Sequence, residues 1–177
     1  MNIKSFKVEK WLNTYENDAD YEMAETDVKP FTLKELLELG DFKKLEEQLL
    51  SIKLGYNPTS GSDKLKETVA SLYRYNTKPE NILITTGAIE ADYHVTNSLV
   101  NKGDTVITQF PTYQALYSTA EARGAKIKYW QMKPENGYKL DIGKLKELID
   151  EKTKLIVLIF LIILPEQLLA KHNLRLF

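Results

Sequence analysis

Cysteine is absent from the 177 residues, which removes a disulfide scaffold, a cysteine-ligated zinc site and a thiol nucleophile. Histidine occurs only as His94 and His172, too few for a metal site built on imidazoles. Charge of one sign is also missing, since 24 Lys and Arg against 25 Asp and Glu leave a formal charge of −1. That balance does not draw a phosphate backbone over long range, so no nucleic-acid partner is expected. The opening Met1-Asn-Ile-Lys-Ser-Phe lacks the apolar stretch of a secretory leader, and a reducing cytoplasm is the expected location. A long apolar run occurs at only one place, Leu155 to Leu164. It is short of the ~18 residues a membrane span needs, so no membrane partner is expected, yet it is long beside the ~5–6 residues of a common strand.

What is present is globular: 43% hydrophobic and 28% charged residues, enough for an ordinary core. An arm or early helix is expected over Phe6 to Tyr15, followed by an acidic run from Glu16 to Glu25. Thr32 with Glu35 reads as a capping box, Phe31 with Leu36 as a hydrophobic staple, and Gly40 as the end of that helix. Phe42, Leu45 and Leu49 recur at helical spacing. Gly55 to Gly61 is turn-rich, and a helix starting between Ser60 and Asp63 is expected to bury Leu65, Val69 and Leu72.

From Asn81 the pattern alternates. Ile82 to Thr85 predicts a strand, then Ala88, Ala91, Val95 and Leu99 a helix. Thr105 to Thr108 predicts a strand, Pro111 a helix start with Ala115, Leu116 and Ala120, and Gly124 its end. Lys126 to Met132 alternates as a strand. Asn136-Gly137 is a turn, Asp141 caps a helix turning Ile142, Leu145 and Ile149 inward, and Lys154 to Leu158 is a fourth strand. The fold class expected is α/β, a mainly parallel sheet with helices on both faces. The domains expected are 1–50 as an N-terminal arm with helices, 51–158 as the sheet domain, and 159–177 as a separate hydrophobic tail.

Ligands of such sheets gather at the carboxyl ends of the strands. There Thr85-Thr86-Gly87-Ala88-Ile89 joins a strand to a helix. Its small residues and helix-start amides suit a phosphate, though Gly87 serves equally as a tight turn. No G-x-G-x-x-G or G-x-x-x-x-G-K-S/T run is present, which removes the main support for dinucleotide and P-loop readings. Tyr113, in Phe110-Pro111-Thr112-Tyr113, could lie flat against a planar ring or simply pack. Tyr56, in its loop, could reach a phosphate or cover the edge of the core.

As a set and in this order, the motifs are similar to those of class I/II aminotransferases, fold-type I enzymes that use pyridoxal 5′-phosphate. Tyr56-Asn-Pro58-Thr-Ser-Gly61-Ser-Asp-Lys-Leu65-Lys66 resembles the family's Y-x-P-x-x-G-x-x-x-L-R, with Lys66 in place of arginine. Ile82 to Ala88 resembles the phosphate turn, Gly103-Asp104-Thr-Val-Ile the G-D-x-V-I/L strand, and Phe110 to Tyr113 the ring-stacking motif. Ile89 stands where a polar residue often adds a phosphate contact. The resemblance spans Val28 to Leu158, and the Trp11 region with Glu22 to Val28 resembles the arm of the capreomycidine synthase-like branch.

The resemblance implies that Gly87, Ala88 and Ile89 hold the cofactor phosphate and Tyr113 stacks on its ring. It implies that Tyr56 reaches the phosphate from the other subunit of a homodimer. The implied substrates are an amino acid and a 2-oxo acid. A lyase or synthase of the same fold, or a non-catalytic dimerisation module, are the alternatives. No residue is assigned as catalytic and none as a metal ligand. The family's Schiff-base lysine, its acid for the pyridine nitrogen and its carboxylate-binding arginine fall beyond the resemblance. Lys171 lacks the serine context of the family's lysine, so this chain alone is expected not to turn over.

After the fourth strand the family continues N-x-P-N-N-P-T-G, whereas here Ile159-Phe-Leu-Ile-Ile-Leu-Pro-Glu-Gln167 follows. These residues can be encoded ATT TTC CTA ATA ATC CTA CCG GAG CAA. One A placed in front turns the frame into AAT TTT CCT AAT AAT CCT ACC GGA GCA, which reads Asn-Phe-Pro-Asn-Asn-Pro-Thr-Gly-Ala. The tail is therefore expected to be out-of-frame translation after a lost base near the Leu158 codon. Sequencing the gene across that codon should show this register, with a serine-lysine motif and an arginine downstream in the shifted frame. Codons incompatible with the shifted motif would refute the slip.

Overall fold

The structure is a computed structural model and describes residues 3–21, 24 and 28–159. Most of the Glu22 to Val28 segment, and the tail from residue 160 onward, lie outside the described residues. The chain divides into two compact units. One holds the described residues of Met1–Ala24 and Thr86–Phe177, the other those of Glu25–Thr85.

The second unit is helical. Its helices are α2 (Leu33–Glu38), α3 (Phe42–Leu50) and α4 (Asp63–Ser71), following α1 (Lys7–Tyr15) of the first unit. The capping box forms as expected: Thr32 Oγ1 accepts from the Glu35 amide at 3.2 Å, and Glu35 Oε2 accepts from the Thr32 amide at 2.8 Å. The Thr32 amide, and then the Thr32 hydroxyl donating to the same Oε2 at 2.8 Å, hold the Glu35 carboxyl below the usual carboxylate range. Ser62 caps α4, and Asp41 caps α3. The expected inward stripe of α4 is not the observed one. Leu65 is 44% and Leu72 77% exposed, and the buried residue is Ala70. Among the described residues α4 packs mainly on the short turn Pro79–Asn81, which is too small to cover a full helical face.

Ile82 to Thr85, read as a strand, belongs to no ladder among the described residues. The Ile84 amide donates to the Ser60 carbonyl at 3.1 Å. Apolar, β-branched sequence makes a strand competent; a ladder partner makes it a strand.

The first unit contains the sheet. Its elements are α5 (Gly87–Leu99), β1 (Thr105–Phe110), α6 (Ala115–Ala122), β2 (Lys126–Gln131), α7 (Ile142–Leu148) and β3 (Thr153–Val157). All pairings are parallel, in the order β2-β1-β3. Central β1 is buried on both faces, with Val106 and Ile107 facing the two cores and Thr105, Thr108 and Gln109 buried beside them. Side chains alternate between two cores. Val106, Ile127, Leu155 and Val157 meet Val100, Ala120 and Ala125 on one face. Ile107, Trp130, Ile156 and Leu158 meet Leu145 of α7 on the other. Helices thus cover both faces, as expected.

Three further details differ from the sequence expectation. Pro111 does not open α6, which starts at Ala115; the Phe110–Pro111 peptide is cis and lies in the connecting loop. On α5 the residue buried is Thr96, while Val95 is 46% and Leu99 44% exposed. On α7 Leu145 is buried at 1%, but Ile149 is 47% exposed because the helix has ended and the chain is extended there.

Turns between elements carry specific locks. Gly103 has φ +92°, and Asp104 Oδ2 accepts from the Asn101 amide at 2.8 Å, so the Gly-Asp pair closes the entry to β1. Lys128 of β2 donates to the Leu148 carbonyl at 2.6 Å and to Asp150 at 2.8 Å, tying the end of α7 to the sheet. The Lys128 bond is the main reason the Asp150 carboxyl falls to about 2.

Leu145→Ala empties the centre of the α7 core and should cost about 2–5 kcal/mol. Asp141→Ala removes the cap on Gly143 and Lys144 and should cost about 1 kcal/mol. Urea unfolding followed by tryptophan fluorescence measures both, and a Leu145→Ala loss no larger than the cap loss contradicts this account of the core.

Candidate functional site

The strand order sets where a ligand would gather. The chain leaves β1 through α6 to β2 on one side, then returns through α7 to β3 on the other side of β1. The direction of winding therefore switches at β1, and the crevice outside the carboxyl ends of β1 and β3 is the natural ligand position of such sheets. Phe110-Pro111-Thr112-Tyr113 leaves the sheet there.

Helix α5 opens toward the same end. Arg123, just past α6, donates from Nε to the Val100 carbonyl at 2.8 Å and from Nη1 to Asn97 Oδ1 at 2.7 Å. These bonds join the carboxyl ends of α5 and α6, which pack on each other and so run in the same sense. Since α6 begins at the carboxyl end of β1, the amino end of α5 faces that way too. Gly87, Ala88 and Ile89 of α5 and Tyr113 ahead of α6 are thereby carried on one unit.

At the start of α5, Gly87 has φ +78°, a conformation that L side chains rarely adopt. An added Cβ there would meet nothing within 4 Å, so the backbone stands open to close approach. Ala88 and Ile89 are exposed, and helix-start amides have no acceptor within the helix. A feature not expected from the sequence is Glu90. Its carboxylate accepts from the Thr86 amide, and that bond is the main reason its carboxyl lies below the usual range. His94 sits 3.4 Å away, one turn later. An acidic side chain in the first turn suits the helix dipole and also places negative charge beside the turn read in the sequence as a phosphate turn.

Tyr113 is 39% exposed. Its hydroxyl donates to Glu9 Oε1 at 2.7 Å, and its ring meets Phe6 edge to face with centroids 6.2 Å apart. The Glu9 bond, then burial, push the Tyr113 phenol up to about 12. The N-terminal arm thus lies in the first unit, against the residue read as the stacking ring.

Tyr56 belongs to the other unit and is fully exposed. The same motif supplies local structure there. Gly61 has φ +95°, and a Cβ at that position would overlap the Ile84 side chain. Lys66 bonds Asp63 at 3.1 Å and Ser60 at 3.3 Å, with its side chain only 14% exposed. Of the motifs singled out in the sequence, Gly61 and Gly103-Asp104 therefore have sufficient structural reasons. Gly87 and Tyr113 keep open surface.

Gln109 escaped the sequence reading. It is fully buried on β1, donates from Nε2 to the Ile159 carbonyl at 3.0 Å, and leaves Oε1 without a hydrogen bond among the described residues. Thr112 Oγ1 is likewise buried and without a partner among those residues. A glutamine in an apolar strand was the available signal. These polar atoms are at the carboxyl end of β1, where a bound group or further chain has donors and acceptors to satisfy. The open Gly87 backbone and the exposed Tyr113 ring together fit the phosphate and ring of pyridoxal phosphate.

Known proteins agree on the family. The family described as aminotransferase class I and II matches residues 15–159. Capreomycidine synthase of Streptomyces vinaceus is 30% identical over 154 residues, covering 86% of this chain and 39% of that protein. A probable aspartate aminotransferase of Methanocaldococcus jannaschii is 31% identical, over 59% of this chain and 28% of its own. The crystal structure of a PLP-dependent aminotransferase from Streptococcus suis superposes with a TM-score of 0.81 at 40% identity, covering 88% of this chain and 42% of that one. Aspartate aminotransferase from Thermus thermophilus shares the fold with a TM-score of 0.70 at 21% identity. The chain spans less than half the length of each of these relatives. By the extent of the family match, the chain belongs to the class I and II aminotransferases.

Proposed function

We propose that this chain supplies the phosphate and ring contacts of a pyridoxal 5′-phosphate site in an aminotransferase, which moves an amino group between an amino acid and a 2-oxo acid. The observation that carries this is the Arg123 clamp, which aims the open Gly87 turn toward the end of the sheet where Tyr113 emerges. When bound, the cofactor supplies an electron sink for charge at the substrate α-carbon. The chain's own residues bind and orient it. The backbone at Gly87, Ala88 and Ile89 receives the phosphate, and Tyr113 covers one face of the ring. Tyr56, on its exposed loop, serves the phosphate from the partner subunit of a homodimer. Thr86 is held by Glu90 and becomes a further donor when that carboxylate moves aside.

The Schiff-base lysine is not assigned in this chain, and we infer that residues 1–177 grip the cofactor weakly and without turnover. The similarity to capreomycidine synthase over 86% of the chain favours a second reading, a synthase of the same fold. The two share the cofactor contacts and differ in what acts on the substrate.

Titrating the chain with pyridoxal phosphate should quench tryptophan fluorescence reversibly. Borohydride treatment should leave only scattered, substoichiometric pyridoxyl-lysine at exposed lysines, and no amino acid should be converted to its 2-oxo acid. A stoichiometric pyridoxyl-lysine mapped to a single position of this chain by mass spectrometry overturns the inference. Glu90→Gln removes a negative charge beside the phosphate seat and should tighten binding by about fivefold at low salt. Unchanged or weaker binding places the phosphate elsewhere.

A further inference from the structure

The N-terminal arm makes a connected set of contacts around Tyr113. Gln114 is the anchor. Its Nε2 donates to the Lys4 carbonyl at 3.3 Å and to the Ser5 carbonyl at 3.2 Å, and its Oε1 accepts from the Lys7 amide at 3.4 Å. One side chain thus holds three backbone groups of the incoming segment, an arrangement that fixes the segment's position rather than merely touching it. Lys4 adds an ion pair to Glu121 of α6 at 2.6 Å. Where the segment becomes α1, Phe6 and Glu9 are its less exposed residues, and both meet Tyr113. The ring is met by Phe6 and the hydroxyl by Glu9, so two of its degrees of freedom are set from the arm.

An exposed aromatic hinged only at its own backbone explores several rotamers, and stacking a planar ligand then costs the entropy of fixing it. A carboxylate acceptor on the phenol removes much of that freedom beforehand, and a charge-assisted bond is the stronger kind. We propose that residues Lys4 to Glu9 form a clasp that presets the Tyr113 ring, with Gln114 as its anchor and Glu9 as a positioning residue for the ring-stacking contact. The proposal rests on the cofactor reading above only for what the ring stacks on; the clasp itself is a property of this chain.

The test separates the two. The full chain is labelled with fluorotyrosine, whose ring fluorine brings phenol ionisation to a pH the folded protein withstands. The Tyr113 fluorine resonance is assigned by its loss in Tyr113→Phe. Tyr113 should ionise above the other tyrosines, and Glu9→Gln should bring it down by about one to two pH units toward them, as expected from losing a carboxylate acceptor. Gln114→Ala should give the same change with the Glu9 carboxylate intact, and should speed tryptic cleavage after Lys4 and Lys7 severalfold. In pyridoxal phosphate titrations Glu9→Gln should weaken binding about fivefold in the parent and leave it unchanged in the Tyr113→Phe background.

A Tyr113 resonance that titrates with the other tyrosines, or ignores Glu9→Gln, overturns the clasp. Equal weakening in both backgrounds overturns positioning, because Glu9 would then act without Tyr113. If the resonance behaves as expected and no variant binds pyridoxal phosphate, the clasp is supported and the cofactor reading fails.

Discussion

One side chain sets the direction of the whole candidate site. Arg123 ends α6 and reaches back to the last turn of α5 through two charge-assisted hydrogen bonds. Helix α5 packs on α6, and the stripe suggested by the sequence is not its buried side, since Val95 and Leu99 are exposed. Its buried positions are Thr96 and, at its end, Val100, which joins the apolar cluster of Val106, Ala120 and Ala125; Asp92, one turn before Thr96, is pushed up by burial, and Arg123 locks the end. An arginine suits this task because its planar fork satisfies a carbonyl and an amide oxygen at once.

From that constraint the functional surface follows. A parallel pair of helices opening beside the carboxyl end of β1 presents the Gly87 turn and the Tyr113 loop on the same unit. The sheet reverses its winding at β1, which leaves a crevice that no crossover covers. Buried Gln109 and Thr112 bring unsatisfied polar atoms to that end of the strand.

The second unit has a different character. Its helices are well capped, by Thr32, Asp41 and Ser62, yet the described helices bury only Ala70. Capping is local chemistry and survives without neighbours. Burial is not local, and residues such as Leu36, Leu39 and Leu72 remain exposed, as does Tyr56.

Much of this was legible in the amino-acid order, because it depends on neighbours along the chain. The capping box at Thr32, the cap at Asp141, the left-handed turns at Gly124 and Gly137 and the alternation of β2 all obey rules of a few residues' range. The motif set pointed to the family for the same reason: spacing survives divergence. The tertiary structure alone decided other things. Ile82 to Thr85 has strand composition but belongs to no ladder among the described residues, and on α5 Thr96 is buried while Val95 and Leu99 are exposed. The sequence reading singled out neither Glu9 nor Glu90; one meets a tyrosine hydroxyl and the other a backbone amide. A residue's neighbours in space are brought by packing over separations of up to a hundred positions, and no periodicity encodes which polar group will arrive.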